Sequence, residues 1–454
     1  MTANPSPDDA APAPVSAGEA LAYWLKLGFV SFGGPAGQIA LMHEDLVVRR
    51  RWISESRFLH ALNYCMLLPG PEAQQLATYI GWLMHRTWGG IVAGALFVLP
   101  SLLILIALSW VYMAFGSVPA VAGVFYGIKP AVTAIVMSAA VRIGRRTLGN
   151  AWLWGIAVAA FVAIFAFNLP FPMIVLAAGI VGYVGGRVAP DRFAARSAHG
   201  PAAHGGLPAL IDDATPTPPH ALFTWPRLAR VLLVCVGLWL AAIGGLVLAF
   251  GRDAVLPQMA WFFTKAALLT FGGAYAVLPY VFQGAVEEHH WLSAAQMIDG
   301  LALGETTPGP LIMVVSFVGF VGGWSRAIFG ADAPFLSGAV AAGVVTFFTF
   351  LPSFMFIFLG GPFIESTHGN LKFTAPLTAI TAAVVGVIVN LGVFFAFHVL
   401  WPEGGGGRFE WPAAVVGAAA ALALFRFKVG VIPVVLVSGL VGLAWTLAAP
   451  FVMP

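Results

Sequence analysis

Charged residues are scarce in this sequence: Asp, Glu, Lys and Arg make up only 9% of its 454 residues. A soluble globular domain is about a quarter charged and about half apolar. Here hydrophobic residues reach 60% and the mean hydropathy is +0.90. Most of the surface must therefore face lipid. The net charge of +3, with basic residues spread over short loops, also argues against a nucleic-acid-binding stripe.

Cysteine and the common catalytic motifs are also lacking. The two cysteines, Cys65 and Cys235, lie in apolar segments and form no CxxC pair or disulfide framework. The sequence contains no Walker A, GxSxG or HExxH motif, and the adjacent His289 and His290 are typical of a solvated loop. These absences argue against an ATPase or another enzyme, and they predict no cofactor and no metal site.

Long apolar runs are abundant, and a membrane-spanning helix needs about 20 mostly apolar residues. The candidate spans are 89–114, 119–141, 150–167, 170–187, 228–250, 336–361, 374–397, 411–426 and 430–448. Four further apolar regions are broken by Gly or Pro near the middle, namely 20–48, 56–84, 257–287 and 294–322. The sequence thus predicts an all-α polytopic membrane protein with broken or re-entrant helices.

Five segments follow from this pattern. They are a disordered N-terminal tail (1–19), a first membrane half (20–187), a cytoplasmic linker rich in Pro and charge (188–227), an extra helix (228–250) and a second membrane half (251–454). The tail has no basic or apolar region of the kind that a cleaved signal peptide requires.

The two membrane halves are homologous. A shift of 239 positions places Lys26 on Lys265, Trp52 on Trp291 and the FGG and PGP motifs of one half on those of the other. The shift then grows to 252, where the tripeptide at 99–101 matches that at 351–353. Chance rarely produces so many matches in one register, which indicates an internal duplication.

Basic residues predict how each half is oriented, because cytoplasmic loops carry the excess of Lys and Arg. If regions 20–48 and 56–84 are re-entrant, the arginine clusters of the first half all fall on the side of the linker. Helix 228–250 then carries the chain across, and the second half starts from the other side. We expect an inverted-topology repeat with the N-terminus and linker in the cytoplasm and the C-terminus outside.

The FGG motif is the first candidate for function. Its glycines are Gly33 and Gly34 in one half and Gly272 and Gly273 in the other. Paired glycines weaken a helix and allow the backbone to open, although they can also serve only close helix packing.

The PGP motif is the second candidate. Its residues are Pro69, Gly70 and Pro71 in the first half and Pro308, Gly309 and Pro310 in the second. Such a sequence breaks a helix, and the second proline suits the first position of a new helix. Free N–H groups and the positive end of the restarted helix would then form an anion site, and the alternative is a kink that only helps packing.

Ionisable residues at membrane depth are costly and usually face a cavity. Lys26 and Lys265 precede the two FGG motifs and are candidate substrate ligands, unless they reach to the membrane edge. Glu72 follows the first PGP and Glu305 precedes the second, while Asp299 takes the position of His60 in the repeat. These three carboxylates are candidates for carrying a coupling proton, although a glutamate beside a helix break can also act only as a cap.

With these motifs in view, the sequence resembles the chromate ion transporter (CHR) family in its long two-domain form. The resemblance runs from about Ala20 to the C-terminus and is most specific at Leu68–Trp82 and Gly304–Pro310. It implies a multi-pass protein of the bacterial inner membrane that exports chromate and confers chromate resistance.

The residues alone point to an anion but do not separate chromate from sulfate or another oxyanion. The open alternatives are a sulfate or other oxyanion carrier, a passive anion channel and a membrane-embedded oxyanion reductase. The expected partners are the anion and the lipid bilayer, with a homodimer as a further expectation.

Overall fold

The computed structural model of the chain describes residues 12–193, 208–212, 215–367 and 374–452. Within these residues the protein is a bundle of α-helices, and its β-type contact is a single bridge between Ile53 and Ile211. The predicted all-α polytopic fold is confirmed.

The first half runs through eight helices among the described residues. They are α1 (Ala17–Val30), α2 (Gly34–His43), α3 (Glu55–Cys65), α4 (Glu72–Phe115), α5 (Pro119–Thr147), α6 (Ala151–Phe167), α7 (Phe171–Val188) and the short α8 (Pro190–Phe193).

The remaining described residues form nine helices. They are α9 (Trp225–Phe250), α10 (Val255–Leu269), α11 (Ala274–Phe282), α12 (Ala294–Thr306), α13 (Val314–Ser325), α14 (Pro334–Thr367), α15 (Thr374–Leu400), α16 (Trp411–Phe425) and α17 (Val431–Val452).

The predicted spans correspond to real helices. Seven helices are long and apolar enough to cross a membrane, namely α4, α5, α7, α9, α14, α15 and α17. The shorter apolar helices α6 and α16 account for the other two predicted spans. Helix α9 begins at Trp225, three residues before the predicted start, and α1 already begins at Ala17 within the predicted tail. Most of that tail, 1–11, and the linker residues 194–207 lie outside the described residues.

The internal repeat is visible in the backbone. Each half has a six-residue π-helical turn, at Glu44–Arg49 in the first half and Gln283–Glu288 in the second. These bounds differ by 239 positions, which is the shift that aligns the two sequences. Two residues beyond each turn, Arg51 and His290 both adopt φ +52°. The duplication therefore extends to irregular backbone, which composition alone does not determine.

The increase of the shift from 239 to 252 has a structural cause. Helix α4 is interrupted at His85 and Arg86, whose φ is +57°, so it consists of a segment 72–84 and a longer segment 87–115. The second half has a loop, 326–333, between α13 and α14 at the equivalent place. The extra residues of the second half lie in this loop and in the first turn of α14.

The broken helices of the first half begin and end on one side of the bundle. The ring Nε2 of His85, at the end of segment 72–84, lies 3.0 Å from the carbonyl oxygen of Val15, just before α1. The amide of Ser54, at the start of α3, donates to the Ile211 carbonyl at 2.9 Å. We call this side, covered by the described part of the linker, the linker face.

Helix α14 crosses from the opposite side to the linker face. Near its start, Phe335 packs against Trp110 at the far end of α4, with ring centroids 6.2 Å apart. Near its end, Glu365 forms an ion pair with Arg57 of α3 at 3.3 Å. We call the side that carries the start of α14 the opposite face.

The broken helices of the second half begin and end on the opposite face. Arg326, which follows α13, donates to the carbonyl of His289, which follows α11, at 3.3 Å. Phe250, at the end of α9, packs against Phe329 in the loop before α14, with ring centroids 5.8 Å apart. The two halves therefore enter the bundle from opposite sides, as the inverted repeat requires.

Candidate functional site

Both PGP motifs interrupt a helix. The first separates α3 from α4 and the second separates α12 from a short 3-10 turn that leads into α13. Gly70 has φ +127° and Gly309 has φ +103°, a region that favours glycine. The sequence prediction placed Pro71 and Pro310 at the first helical position. Each is instead the capping residue just before it, with extended backbone that proline readily adopts.

Each PGP break is bound to the FGG turn of the other half. The amide of Gly70 donates to the carbonyl of Thr270 at 2.8 Å, and the amide of Gly309 donates to the carbonyl of Ser31, also at 2.8 Å. Ser31 and Thr270 end α1 and α10, immediately before the FGG motifs, and they are equivalent in the repeat. The two halves are thus joined by a symmetric exchange of hydrogen bonds at their breaks.

The FGG glycines form the turns that end one helix and begin the next. Gly33 and Gly34 have φ +88° and +69°, and Gly272 and Gly273 have φ +82° and +95°. All four values lie in the left-handed region, where a side chain would be strained. The open backbone predicted for these motifs is therefore present in both halves.

Four helical segments start at these breaks, namely α2, α4, α11 and the 3-10 turn before α13. None of them has a side-chain cap that accepts a hydrogen bond from its first amides. A helix start carries unpaired N–H groups and about half a positive charge. The breaks therefore create four weak positive ends, in two pairs that each combine a PGP and an FGG motif. Three of them are enclosed by the bundle, and the start of α2 is partly exposed.

Glu72 lies where one of these pairs meets. It is the first residue of α4, and a Cβ at Gly273 would lie 3.6 Å from both of its carboxylate oxygens. The carboxylate of the first half thus occupies the start of α11 in the second half. At the equivalent glycine of the other pair, Gly34, a Cβ would meet nothing within 4 Å. One pair of helix starts therefore holds a carboxylate and the other has open space.

Glu305 approaches the same helix start from another direction. Its carboxylate accepts a hydrogen bond from the hydroxyl of Tyr275, the second residue of α11. Glu72 and Glu305 therefore both border the first turn of α11. Their equivalents in the repeat are Leu311 and Met66, so the acidic groups do not follow the symmetry of the backbone.

Asp299 lies apart from the two glutamates. It is on α12, six residues before Glu305, and is only 2% exposed. Its Oδ2 lies 3.4 Å from the ammonium group of Lys129 on α5 and accepts a hydrogen bond from the hydroxyl of Tyr112 at 2.9 Å. Sequence analysis did not assign Lys129, although a lysine inside the apolar run of a predicted span was a usable signal.

The two predicted lysine ligands lie on exposed faces. Lys26 is exposed on α1 between Leu25 and Phe29, which are 44% and 50% exposed, and Lys265 is exposed on α10. Neither is brought next to a glutamate or a PGP break by a contact of the described residues. Their part in substrate binding stays a prediction.

Two buried glutamine side chains donate hydrogen bonds to carbonyl groups at the breaks. The amide group of Gln38 donates to the Gly309 carbonyl at 2.6 Å and to the Ser31 carbonyl at 3.3 Å, so it joins a PGP to an FGG turn. The amide group of Gln75 donates to the Pro69 carbonyl at 2.8 Å. These bonds satisfy carbonyls that a broken helix leaves free. Sequence analysis assigned neither glutamine, although a glutamine in an apolar segment is a usable signal.

The matched tripeptides at 99–101 and 351–353 also contact the PGP breaks, and each contacts the break of the other half. A Cβ at Gly70 would lie 2.5 Å from Oγ of Ser353 on α14, and a Cβ at Gly309 would lie 2.8 Å from Cβ of Ser101 on α4. Ser101 and Ser353 are the matched residues of the tripeptides at 99–101 and 351–353. Each long helix therefore touches the break of the other half at a point where only glycine fits.

In the part of the chain that the structure describes, no group of three His, Cys, Asp or Glu side chains is arranged to hold a metal ion. The arrangement is instead that of a membrane transport protein, with two inverted halves, discontinuous helices and helix starts that meet inside the bundle.

Comparison with known proteins agrees with this class. The family described as Chromate transporter matches residues 18–183 and 257–443, which are most of both halves. The chain belongs to the chromate transporter family. No solved structure is significantly similar to it.

Curated relatives span most of the chain. A chromate transport protein of Pseudomonas aeruginosa is 32% identical over 456 residues, covering 96% of this chain and 94% of the relative. A chromate transport protein of Cupriavidus metallidurans is 28% identical over 408 residues, covering 89% of this chain and 87% of the relative. An uncharacterized transporter of Methanocaldococcus jannaschii is 26% identical, covering 83% of this chain and 84% of the relative.

Proposed function

We propose that this protein is a secondary transporter that exports chromate across the bacterial inner membrane and thereby confers chromate resistance. The observation that carries the proposal is the contrast between the two pairs of helix starts. At one pair the Glu72 carboxylate lies beside Gly273, and at the other the equivalent place beside Gly34 is open. The names of the curated relatives support chromate as the anion.

The open pair suits a divalent oxyanion. It combines the start of α2 with the turn before α13, and the hydrogen bond from Gly309 to Ser31 holds the two together. Free N–H groups at a helix start bind anions without needing a charged side chain. Two such starts offer about one positive charge in total, which attracts a dianion without holding it too tightly to leave.

The membrane potential provides a driving force for export. A dianion that leaves a negative interior gains about 2.3 kcal/mol per charge per 100 mV. We propose that Glu72 and Glu305 carry the coupling proton if exchange with protons adds to this. Both border the first turn of α11, so protonation of either would change the charge at the pair of helix starts that does not bind the anion.

A sulfate or other oxyanion carrier is the alternative in the same class, because helix starts recognise charge and oxygen acceptors rather than the central atom. Competition separates the two. Chromate uptake by the purified protein in liposomes should be inhibited less by an equal concentration of sulfate than by unlabelled chromate. Equal inhibition would favour a general oxyanion carrier.

The decisive experiment removes a break. Replacing Pro69, Gly70 and Pro71 by three alanines lets α3 and α4 approach one continuous helix, which would satisfy their free amides internally. We expect saturable, potential-sensitive chromate uptake to be lost in proteoliposomes while the protein still inserts. Normal uptake by this variant would show that the breaks serve only packing.

The same assay distinguishes other classes of function. Uptake that does not saturate would indicate a passive channel, and reduction of chromate by the pure protein would indicate an enzyme. The wild-type protein should show neither.

We propose that the protein forms a homodimer through the face that carries the first FGG turn. Phe32 is 38% exposed and Gly33 is exposed beside it, whereas the second turn is covered by α15. Irregular backbone at membrane depth is tolerated only where protein or a water-filled cavity covers it. Native mass spectrometry from lipid nanodiscs should show two copies, and a purely monomeric spectrum would contradict the proposal.

A further inference from the structure

A buried triad lies at the linker face. Its ion pair joins Arg57 of α3 to Glu365 of α14 at 3.3 Å, with side chains 14% and 8% exposed. The hydroxyl of Tyr79, in segment 72–84, donates a hydrogen bond to the same carboxylate. Arg57 also donates to the Thr215 carbonyl of the linker at 2.6 Å.

A second triad of a cation, a carboxylate and a tyrosine lies where α4, α5 and α12 meet. Its ion pair joins Lys129 to Asp299 at 3.4 Å, with side chains 30% and 3% exposed. The hydroxyl of Tyr112 donates to the same carboxylate at 2.9 Å. Each triad therefore contains one cation, one carboxylate and one tyrosine.

A contact beside the first triad is the repeat equivalent of a contact within the second triad. A shift of 239 relates His60 to Asp299, and a shift of 252 relates Tyr112 to Ile364. The ring Nε2 of His60 lies 3.4 Å from the Ile364 carbonyl oxygen, at the position that corresponds to the bond between Tyr112 and Asp299. The repeat thus brings the same two positions into contact twice, once beside the first triad and once within the second.

Both ion pairs connect the two halves on either side of the breaks. Arg57 belongs to the first half and Glu365 to the second, while Lys129 belongs to the first and Asp299 to the second. Asp299 lies seven residues before the end of α12, which is about 10 Å along the helix. Separation of α3 from α14 would therefore open the first pair, and separation of α5 from α12 would open the second.

We infer that the two triads are ion-pair gates for the transported oxyanion, which opens each gate by taking the cation from its carboxylate. This rests on the proposed function of oxyanion transport. A dianion attracts an ammonium or guanidinium group about twice as strongly as a single carboxylate does at the same distance. It can therefore compete for a cation that is already paired.

Two features make the Lys129–Asp299 pair exchangeable. Lys129 keeps 30% of its side chain exposed, so it is not fully enclosed by protein. The Oδ1 atom of Asp299 is buried and has no hydrogen-bond partner among the described residues, so the carboxylate is held through one oxygen alone. A fully satisfied pair would resist exchange more strongly.

Variants of the two partners should have opposite effects on the KM for radiolabelled chromate in proteoliposomes. Lys129→Gln removes the cation that the anion would take, so KM should rise about tenfold. Asp299→Asn removes the competitor and frees Lys129, so KM should fall roughly threefold. Lys129→Arg keeps the charge and should keep KM within about threefold of the wild-type value.

The double variant Lys129→Gln with Asp299→Asn separates a gate from a structural ion pair. A gate predicts that KM stays high, because the cation is still missing. A structural pair predicts recovery, because the uncompensated charge is gone. Arg252→Gln and Asp253→Asn are matched controls, since both residues are exposed in the turn between α9 and α10. They should leave KM unchanged.

Size-exclusion elution and thermal stability of each detergent-purified variant show whether it is folded. KM shifts of the same sign in the two single variants, no shift in either, or recovery in the double variant would overturn the gates while leaving chromate transport intact. A wild-type protein that neither transports nor binds chromate would overturn both the transport function and the gates.

Discussion

Replacing Gly70 by alanine perturbs the first break at its centre. The φ of +127° costs a residue with a side chain on the order of 1–3 kcal/mol. The new Cβ would also lie 2.5 Å from Oγ of Ser353 and 2.6 Å from Nε2 of Gln75. Rotation of the Ser353 hydroxyl relieves the first contact. Relief of the second requires withdrawal of the Gln75 amide from its hydrogen bond with the Pro69 carbonyl, which contributes about 1 kcal/mol.

Together these effects destabilise the junction between the two halves by about 2–4 kcal/mol. A change of about 3 kcal/mol lowers the population of the native junction by roughly a hundredfold relative to a rearranged one. We expect chromate uptake in proteoliposomes, normalised to inserted protein, to fall at least about tenfold.

Gly330→Ala is the matched control. Gly330 lies in the loop between α13 and α14 with φ +96°, and a Cβ there would meet nothing within 4 Å. It carries backbone strain of the same kind without a contact at a break, so uptake should stay near the wild-type rate. Adding Ser353→Ala to Gly70→Ala removes the closest contact and should restore part of the uptake. Equal uptake by the Gly70 and Gly330 variants would refute the assignment of the first break to transport.

Three further predictions concern charge and orientation. Lys26→Ala and Lys265→Ala should each lower chromate uptake more at low than at high ionic strength, because an exposed ammonium group acts on the anion through a screened field; unchanged uptake in both would assign these lysines to the membrane edge. Glu72→Gln should make uptake independent of an imposed proton gradient, and a retained dependence would move the coupling proton elsewhere. Reporter fusions at positions 205 and 454 should lie on opposite sides of the membrane, the first in the cytoplasm, and activity on one side only would contradict the predicted orientation.

The helices and the repeat were predictable because they depend on information that is local in the sequence. A run of about 20 apolar residues determines a span whatever its neighbours are. The FGG and PGP motifs contain the glycines and prolines that end helices, so the breaks follow from backbone preferences alone. The predicted breaks at Gly70 and Gly309 are found in the structure.

The pairing of the breaks was not predictable in the same way. Each half carries both motifs, so Gly70 has Ser31 and Thr270 as equally plausible partners in the sequence. The structure selects Thr270, because the inverted halves interlock rather than fold separately. Likewise, Lys129 and Asp299 are 170 positions apart, and neither sequence neighbourhood identifies the other as its partner.

The contrast between symmetric backbone and asymmetric charge limits how the site can work. Equivalent hydrogen bonds at Gly70 and Gly309 give the two pairs of helix starts the same polarity. If both pairs held an oxyanion in the same way, neither would need a carboxylate. Glu72 instead lies at one pair, where it neutralises the positive end that an anion would otherwise use, while Gly34 of the other pair has open space. On the proposed function, the duplication supplied two similar anion sites, and an acidic residue converted one of them into a site for a proton.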